Sequence, residues 1–386
     1  MEIRHRNIGV YNRVTRVIST GCGMLFALYS FLYLYFLQGN VTEALHFSLS
    51  HGRTAYSIFW SALVITFFLM LLRWGINAVL KLSGPWIALS YYPPALLLGV
   101  LTDVDRSVFQ GGGFAPYWSW LLPLLSVVYV GLALILRRVE RNKEWNNVLD
   151  MYSLNAGIFA VGCLVPVLIG NTDMYFHHEL AVEHAIRHGE YAKALNVGKK
   201  SLKATKTLTV LRAYAMASFD SLGEKLFEYP QTYKSAGLLF DTNTPPEELL
   251  RFNADTLYCR IGAKHDAGEK NMDYLSRISK IDSIPQTGKQ YYLCALLLEK
   301  RLVDFCQAIQ TVYPEGRALP KHYREALLLC ERELPGYRSH IDDLTLRQKL
   351  DEFFEKRRSE YPSELAEQNL MRRDYGRTYW WYYYYQ

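Results

Sequence analysis

The sequence predicts an all-α protein in two parts, an N-terminal transmembrane bundle of five spans followed by a soluble solenoid of helical hairpins. Three observations lead there. Five uncharged stretches long enough to cross a bilayer lie within residues 1–172, and none lies in 173–386. A spanning helix needs about 20 mostly apolar residues, and lipid offers the backbone no other hydrogen-bond partner. Charge divides at the same place: residues 1–172 hold 12 Lys+Arg and 7 Asp+Glu, which leaves 31 of the 43 cations and 30 of the 37 anions to 173–386. The mean hydropathy of -0.05 is therefore the average of two unlike halves. Beyond residue 175 the apolar periodicity is helical, with turn signals every 10–20 residues and few alternating β-branched runs.

The expected spans are 17–37, 54–72, 82–102, 117–136 and 151–172, and the soluble domain is 173–386. The first apolar run is too long for a cleaved signal peptide and lacks a small-residue cleavage site after it. The third contains Pro93-Pro94, which must break or bend a helix. Cations alternate between loops: Arg4, Arg6, Arg13 and Arg16 precede the first span, Arg73 and Lys81 follow the second, and Arg137, Arg138, Arg141 and Lys143 follow the fourth. The other two loops hold only Arg53 and Arg106. The positive-inside rule then places the N-terminus in the cytoplasm, and five crossings place 173–386 in the periplasm of a bacterial inner membrane. A re-entrant 82–102 would instead leave the domain cytoplasmic and turn 137–143 outward, against that rule.

The uncharged runs contain no ionisable side chain of the kind that marks ion and proton pathways, which argues against a pump or secondary transporter. The candidate site in the membrane half is Pro93 and Pro94 with Asp103, Asp105 and Arg106, a kinked segment and polar loop able to line a lipid or polymer site. A kinked helix with a solvated loop accounts for the same residues. Gly111-Gly112-Gly113 lacks the strand and helix that frame a phosphate cradle.

In the soluble half, helices are expected over 178–188 and 190–204, with Gly189 ending the first, and then over 247–261, 290–299, 303–313 and 323–334. The segment Ala185-Ile-Arg-His-Gly-Glu-Tyr-Ala-Lys-Ala-Leu-Asn-Val-Gly-Lys-Lys-Ser-Leu202 resembles the tetratricopeptide repeat in its small residue, Gly-x-Tyr turn and Ala-Leu pair. Leu297-Leu-Glu-Lys-Arg-Leu-Val-Asp-Phe305 reads as a second such hairpin. No strict 34-residue period runs through the chain. The stretch Leu319-Pro-Lys-His-Tyr-Arg-Glu-Ala-Leu-Leu-Leu329 and the ending Thr378-Tyr-Trp-Trp-Tyr-Tyr-Tyr-Tyr385 resemble an uncharacterised family of Bacteroidales membrane proteins. That resemblance implies N-terminal spans followed by divergent helical repeats, and no activity.

Chemistry-bearing residues are sparse. His184 and His188, four apart on one helix face, are the metal candidates, but the His-Glu-x-x-His order is missing and solvated histidines are the expectation. Cys259, Cys294, Cys306 and Cys330 form no Cys-x-x-Cys pair. In an oxidising compartment their even number permits disulfides, and buried free thiols are the first expectation. Asp220-Ser221-Leu222, Asp255-Thr256-Leu257 and Asp282-Ser283-Ile284 resemble the O-glycosylation triplet of Bacteroidetes periplasmic proteins, and also fit as helix caps. The aromatic run led by Tyr379, Trp380, Trp381 and Tyr382 is a candidate partner or membrane contact, with packing within its own domain the slightly favoured expectation. No P-loop, dinucleotide fingerprint, catalytic triad or carboxylate pair is present, so no reaction and no cofactor is expected. The nearly neutral soluble half argues against nucleic acid. The expected partners are the lipid bilayer and envelope proteins. The expected role is a membrane-anchored interaction scaffold, with a subunit of an envelope transport or lipid- or polymer-modifying system as the alternative.

Overall fold

The computed structural model describes residues 2–141, 148–266, 268–314 and 318–386, with side chains from 13 to 139 and throughout the later ranges. Lys143 and the side chains of Arg4, Arg6 and Arg141 lie outside the described residues. The described secondary structure is entirely helical, and the chain divides into two compact units, Met1–His177 and His178–Gln386.

The first unit contains α1 (Glu2–Leu32), which runs into a π-helical turn, Tyr33–Leu37, and then α2 (Gly39–Ser50) and α3 (Ile58–Leu80). Next come a 3-10 helix over Gly84–Tyr91, α4 (Tyr92–Thr102), a 3-10 turn over Arg106–Gln110, α5 (Trp118–Arg141) and α6 (Val148–Ile169). Four helices are long and apolar enough to cross a membrane: Arg13–Leu37, Ile58–Leu80, Trp118–Val139 and Val148–Ile169. The expected third span is not among them, because 82–102 is not one helix. Proline has no N–H and is best accommodated in the first turn of a helix. Accordingly Pro85 opens the 3-10 helix, and Pro93-Pro94 sit in the first turn of α4.

This broken segment is the most enclosed part of the unit. Ala88, Ser90, Ala95, Leu98 and Thr102 have no exposed surface. It runs beside α6 in the same direction. At its start the Asn155 amide donates to Gly84 O (2.9 Å), and its oxygen accepts from Ala88 N (3.0 Å). Midway, Gly162 makes room for the Tyr92 ring, 3.3 Å from where a Cβ would stand. At its end Gly99 takes Ile169, and Asn171 N donates to Thr102 O (2.8 Å). Eight 3-10 residues rise about 16 Å and eleven α residues about 16 Å, close to the ~33 Å of α6.

The second unit begins within α7 (Met174–Arg187) and continues as α8 (Tyr191–Asn196), α9 (Lys206–Ser218), α10 (Leu222–Lys225), α11 (Pro246–Leu249), α12 (Ala254–Ile261), α13 (Asn271–Ser279), α14 (Gln286–Leu298), α15 (Leu302–Val312), α16 (Lys321–Glu333), α17 (Leu344–Arg358), α18 (Glu364–Tyr375) and α19 (Tyr379–Tyr385). Two expected helices are shorter. The one expected over 190–204 stops at Asn196, followed by Gly198 at φ 59°, and 247–261 is split by Leu250 at φ 58°. The turn at Gly189 (φ 72°) and the α14–α15 turn at Lys300 (φ 57°) stand where the hairpins were expected.

The core is built around α14, whose residues Leu293 to Leu298 are all buried and which packs on α10, α12, α13 and α15. α10 also packs on α16, about a hundred residues further along the chain. Glycine is required there: a Cβ on Gly223 would stand 2.6 Å from the Tyr323 ring. The Glu224 carboxylate accepts from Lys321 N at 2.6 Å, at the start of α16. Contacts in this unit are therefore not confined to sequence neighbours, as they would be in an open repeat stack.

Candidate functional site in the N-terminal bundle

The least expected polar group is Arg73. The uncharged run ends at Leu72, but the helix does not: Ile76, Val79 and Leu80 carry α3 eight residues further. Arg73 thus stands about 10 Å inside the end of a helix, Ile58–Leu80, that is long and apolar enough to cross a membrane, and just beyond the expected bounds 54–72. Its half-buried guanidinium reaches inward, Nη2 donating to Ser19 Oγ of α1 (2.6 Å) and Nε to Ser90 Oγ of the 3-10 helix (3.1 Å). It also lies 4.7 Å from the Tyr91 ring centroid. Tyr91 donates to Ser19 O (3.0 Å), and Ser90 to Ile87 O (2.7 Å). The site therefore joins three elements through two hydroxyls, one aromatic face and one cation. Among the described residues no carboxylate pairs with Arg73. Such a cation can hold helices together or attract an anionic group. The apolar residues resuming after Arg73 were the sequence signal that could have found it.

The residues singled out in the kink and loop are not one site. Pro93-Pro94 and Asp103 stand at opposite ends of α4, about 15 Å apart along its axis. Asp103 accepts from Trp118 Nε1 (2.7 Å) and from the Tyr117 hydroxyl, tying the start of α5 to the end of α4. Asp105 caps the 3-10 turn through Ser107 N (2.9 Å). Arg106 pairs with Asp173 (3.0 Å) and covers Phe176. Burial pushes the Asp173 carboxyl up, but the N–H groups of Tyr175 and Phe176 and the Arg106 guanidinium outweigh it and hold it below the usual range. At the same end Tyr33 donates to Pro166 O (2.9 Å) and meets Thr102 Oγ1 (3.1 Å), which places the π turn against α4 and α6.

In the second unit the His184 and His188 rings lie 4.3 Å apart, with His188 Nδ1 2.8 Å from the His184 carbonyl oxygen. No group of three or more His, Cys, Asp or Glu with metal-holding geometry occurs among the described residues. Tyr379, Trp380, Trp381 and Tyr382 are buried. Trp380 Nε1 donates to Glu325 O (2.8 Å), Tyr379 N to the Glu325 carboxylate (2.8 Å) and the Tyr382 hydroxyl to Leu298 O (2.6 Å). The four rings thus fill their own domain and offer little face to a partner. All six cysteines are free thiols: Cys294, Cys306 and Cys330 are buried, while Cys259 is exposed, against expectation. Thr256 and Ser283 of the candidate glycosylation triplets are exposed, and Ser221 is half-buried with its hydroxyl on Met216 O (3.1 Å).

A family model described as a family of unknown function (DUF6057) matches residues 10–287 and 286–386. No curated protein matches the chain, and no solved structure does. The match spans almost all of the chain, and the chain belongs to that family.

Proposed function

We propose that this member of the DUF6057 family is a five-span protein of a bacterial inner membrane that holds a helical-hairpin domain in the periplasm as an interaction scaffold for envelope proteins. The observation that carries the reading is the course of 84–102. It follows α6 from end to end, its length of about 32 Å matches the ~30 Å hydrocarbon core, and its irregular backbone is enclosed by protein, where a bilayer tolerates it. Counted with the four long helices it makes the number of crossings odd, which puts the two ends of the bundle sequence on opposite sides. Arg13, Arg16, Lys81, Arg137 and Arg138 then share the cytoplasmic side. The hairpins of α7–α8 and α14–α15, with the tetratricopeptide-like segment on the first, support the scaffold role. The Bacteroidales setting rests on the sequence resemblance alone.

The test is labelling with a membrane-impermeant maleimide in spheroplasts, in a Cys259→Ser background carrying Lys200→Cys or Arg138→Cys. Labelling at 200 and protection at 138 is the expected outcome; the reverse would mean that 84–102 does not cross. Gentle detergent purification should then recover envelope proteins in fixed ratio, and recovery of the chain alone counts against a scaffold.

A second reading, in which the bundle itself works in envelope transport or lipid or polymer modification, is favoured by Arg73. An unpaired cation inside a span is costly and its position marks a functional site by default.

A further inference from the structure

An apolar groove of about 850 Å³ lies between α3, α4, α5 and α6. α5 is tied to the bundle at both ends. Near its start Tyr117 and Trp118 donate to Asp103, and in its second half Tyr129 donates to Leu89 O (3.0 Å) and Arg137 to Leu80 O (3.2 Å). Between these ties α5 stands off, and the slot behind it is walled by side chains such as Ile76, Val79, Leu97, Leu125 and Tyr129. Gly75 widens it, since a Cβ there would meet nothing within 4 Å. Ser126 is the one hydroxyl-bearing aliphatic in the wall, and its hydroxyl is spent on Leu122 O (2.8 Å). The volume falls in the ~300–1,000 Å³ range of small-ligand sites, and the lining is almost wholly apolar.

The two ends of the slot differ in charge. At the end lined by Val79 and Leu80 stand Lys81, exposed as the cap of α3, and Arg137, and among the described residues neither is in an ion pair. Beyond the other end, the loop after α4 carries charges of both signs that are already engaged, Asp103 by Tyr117 and Trp118, Asp105 by Ser107 and Arg106 by Asp173. Basic pockets between spanning helices on the cytoplasmic side are where anionic headgroups bind.

We infer that the groove holds one acyl chain of an anionic glycerophospholipid, with the headgroup phosphate at Lys81 and Arg137. The inference rests on the membrane reading of the bundle. It goes beyond the lipid that coats any membrane protein, because it assigns a fixed site with a headgroup preference.

The experiment is native mass spectrometry of the full chain, reconstituted in vesicles of phosphatidylglycerol and phosphatidylethanolamine and then extracted in mild detergent. The expected result is one retained phosphatidylglycerol per chain. Gly75→Phe, which fills open space, should abolish retention while leaving the helical circular dichroism unchanged. Lys81→Gln with Arg137→Gln should lower the preference for phosphatidylglycerol by roughly tenfold or more, from the loss of two surface cations. Equal retention of both lipids, indifference to Gly75→Phe, or a second copy of the chain covering the groove would each overturn the proposal. A chain that stays soluble without detergent would instead overturn the membrane reading itself, so the two failures are distinguishable.

Discussion

Arg73 shows how far a single residue can be read from both sides of an energy balance. Its two charge-assisted hydrogen bonds to hydroxyls are worth about 1.5–3 kcal/mol each. Placing an arginine within a span costs ~2.5–3.5 kcal/mol on insertion scales. Together the bonds match that cost or exceed it by up to about 3.5 kcal/mol, so Arg73→Gln should leave the melting temperature of the detergent-solubilised protein unchanged or lower it. If the bundle does chemistry or transport, the same substitution should remove the growth or envelope phenotype of the gene. Arg73→Lys should not restore it, because an ammonium cannot span both serines. A silent Arg73→Gln would make the residue a strut. Glu331 is a simpler case. Partial burial pushes its carboxyl up, but Arg347 Nη1 (2.6 Å) and the N–H and hydroxyl of Ser339 (2.6 Å each) outweigh that and hold it below the ordinary range. With the folded value below the unfolded ~4.3, the carboxylate stabilises fully above about pH 5 and loses that contribution as pH falls through the folded value. Arg347 is over a third exposed, so about 1 kcal/mol is the appropriate scale. Glu331→Gln should lower the melting temperature at pH 7 and converge with the parent near pH 3; an offset independent of pH would assign the loss to packing.

At the scale of elements, legibility followed the regularity of the backbone. The four long helices announce themselves because an uncharged, mostly apolar run of 19–22 residues has one inexpensive conformation in lipid. The stretch 82–102 is equally apolar, and its Pro93-Pro94 pair told of a break, but not that the first half would wind as a 3-10 helix. That depends on Asn155, seventy residues away, which bonds both Gly84 and Ala88. The α14–α15 hairpin was legible from its turn, whereas the α10–α16 packing depends on a shape match between Gly223 and Tyr323 that no local pattern encodes. The register of α15 against α16 is testable through its cysteines. Cys306 Sγ lies 2.6 Å from Cys330 Sγ, both buried. Diamide should therefore close this pair to a disulfide, each thiol giving up a proton and the pair giving two electrons to the N=N bond, which becomes a hydrazine. The expected readout is one cross-linked peptide pair containing 306 and 330, lost in Cys306→Ser, while Cys259 remains open to alkylation. Thiols that resist diamide in the folded protein but alkylate separately on unfolding would contradict the register.

For the whole molecule, charge is uneven along the chain, with 19 Asp, Glu, Lys and Arg side chains in residues 1–172 and 61 in 173–386, and the two compact units divide between His177 and His178. What the aromatic ending does was legible only in part: seven adjacent rings fit an anchor or a partner contact, with packing in their own domain only slightly favoured. The structure seats Tyr379, Trp380 and Tyr382 against α14 and α16. Removing a buried aromatic side chain costs about 3–5 kcal/mol, and a domain of this size has only about 5–15 kcal/mol in total. Three such losses exhaust the stability of the unit. Residues 178–386 expressed alone should therefore melt cooperatively in water, because α14 and the helices around it are enclosed within this unit. The same piece ending at 378 should show no cooperative transition and should bind a hydrophobic dye such as ANS. A truncated piece that still melts cooperatively would make the aromatic helix peripheral and return its rings to the surface as a site for a partner.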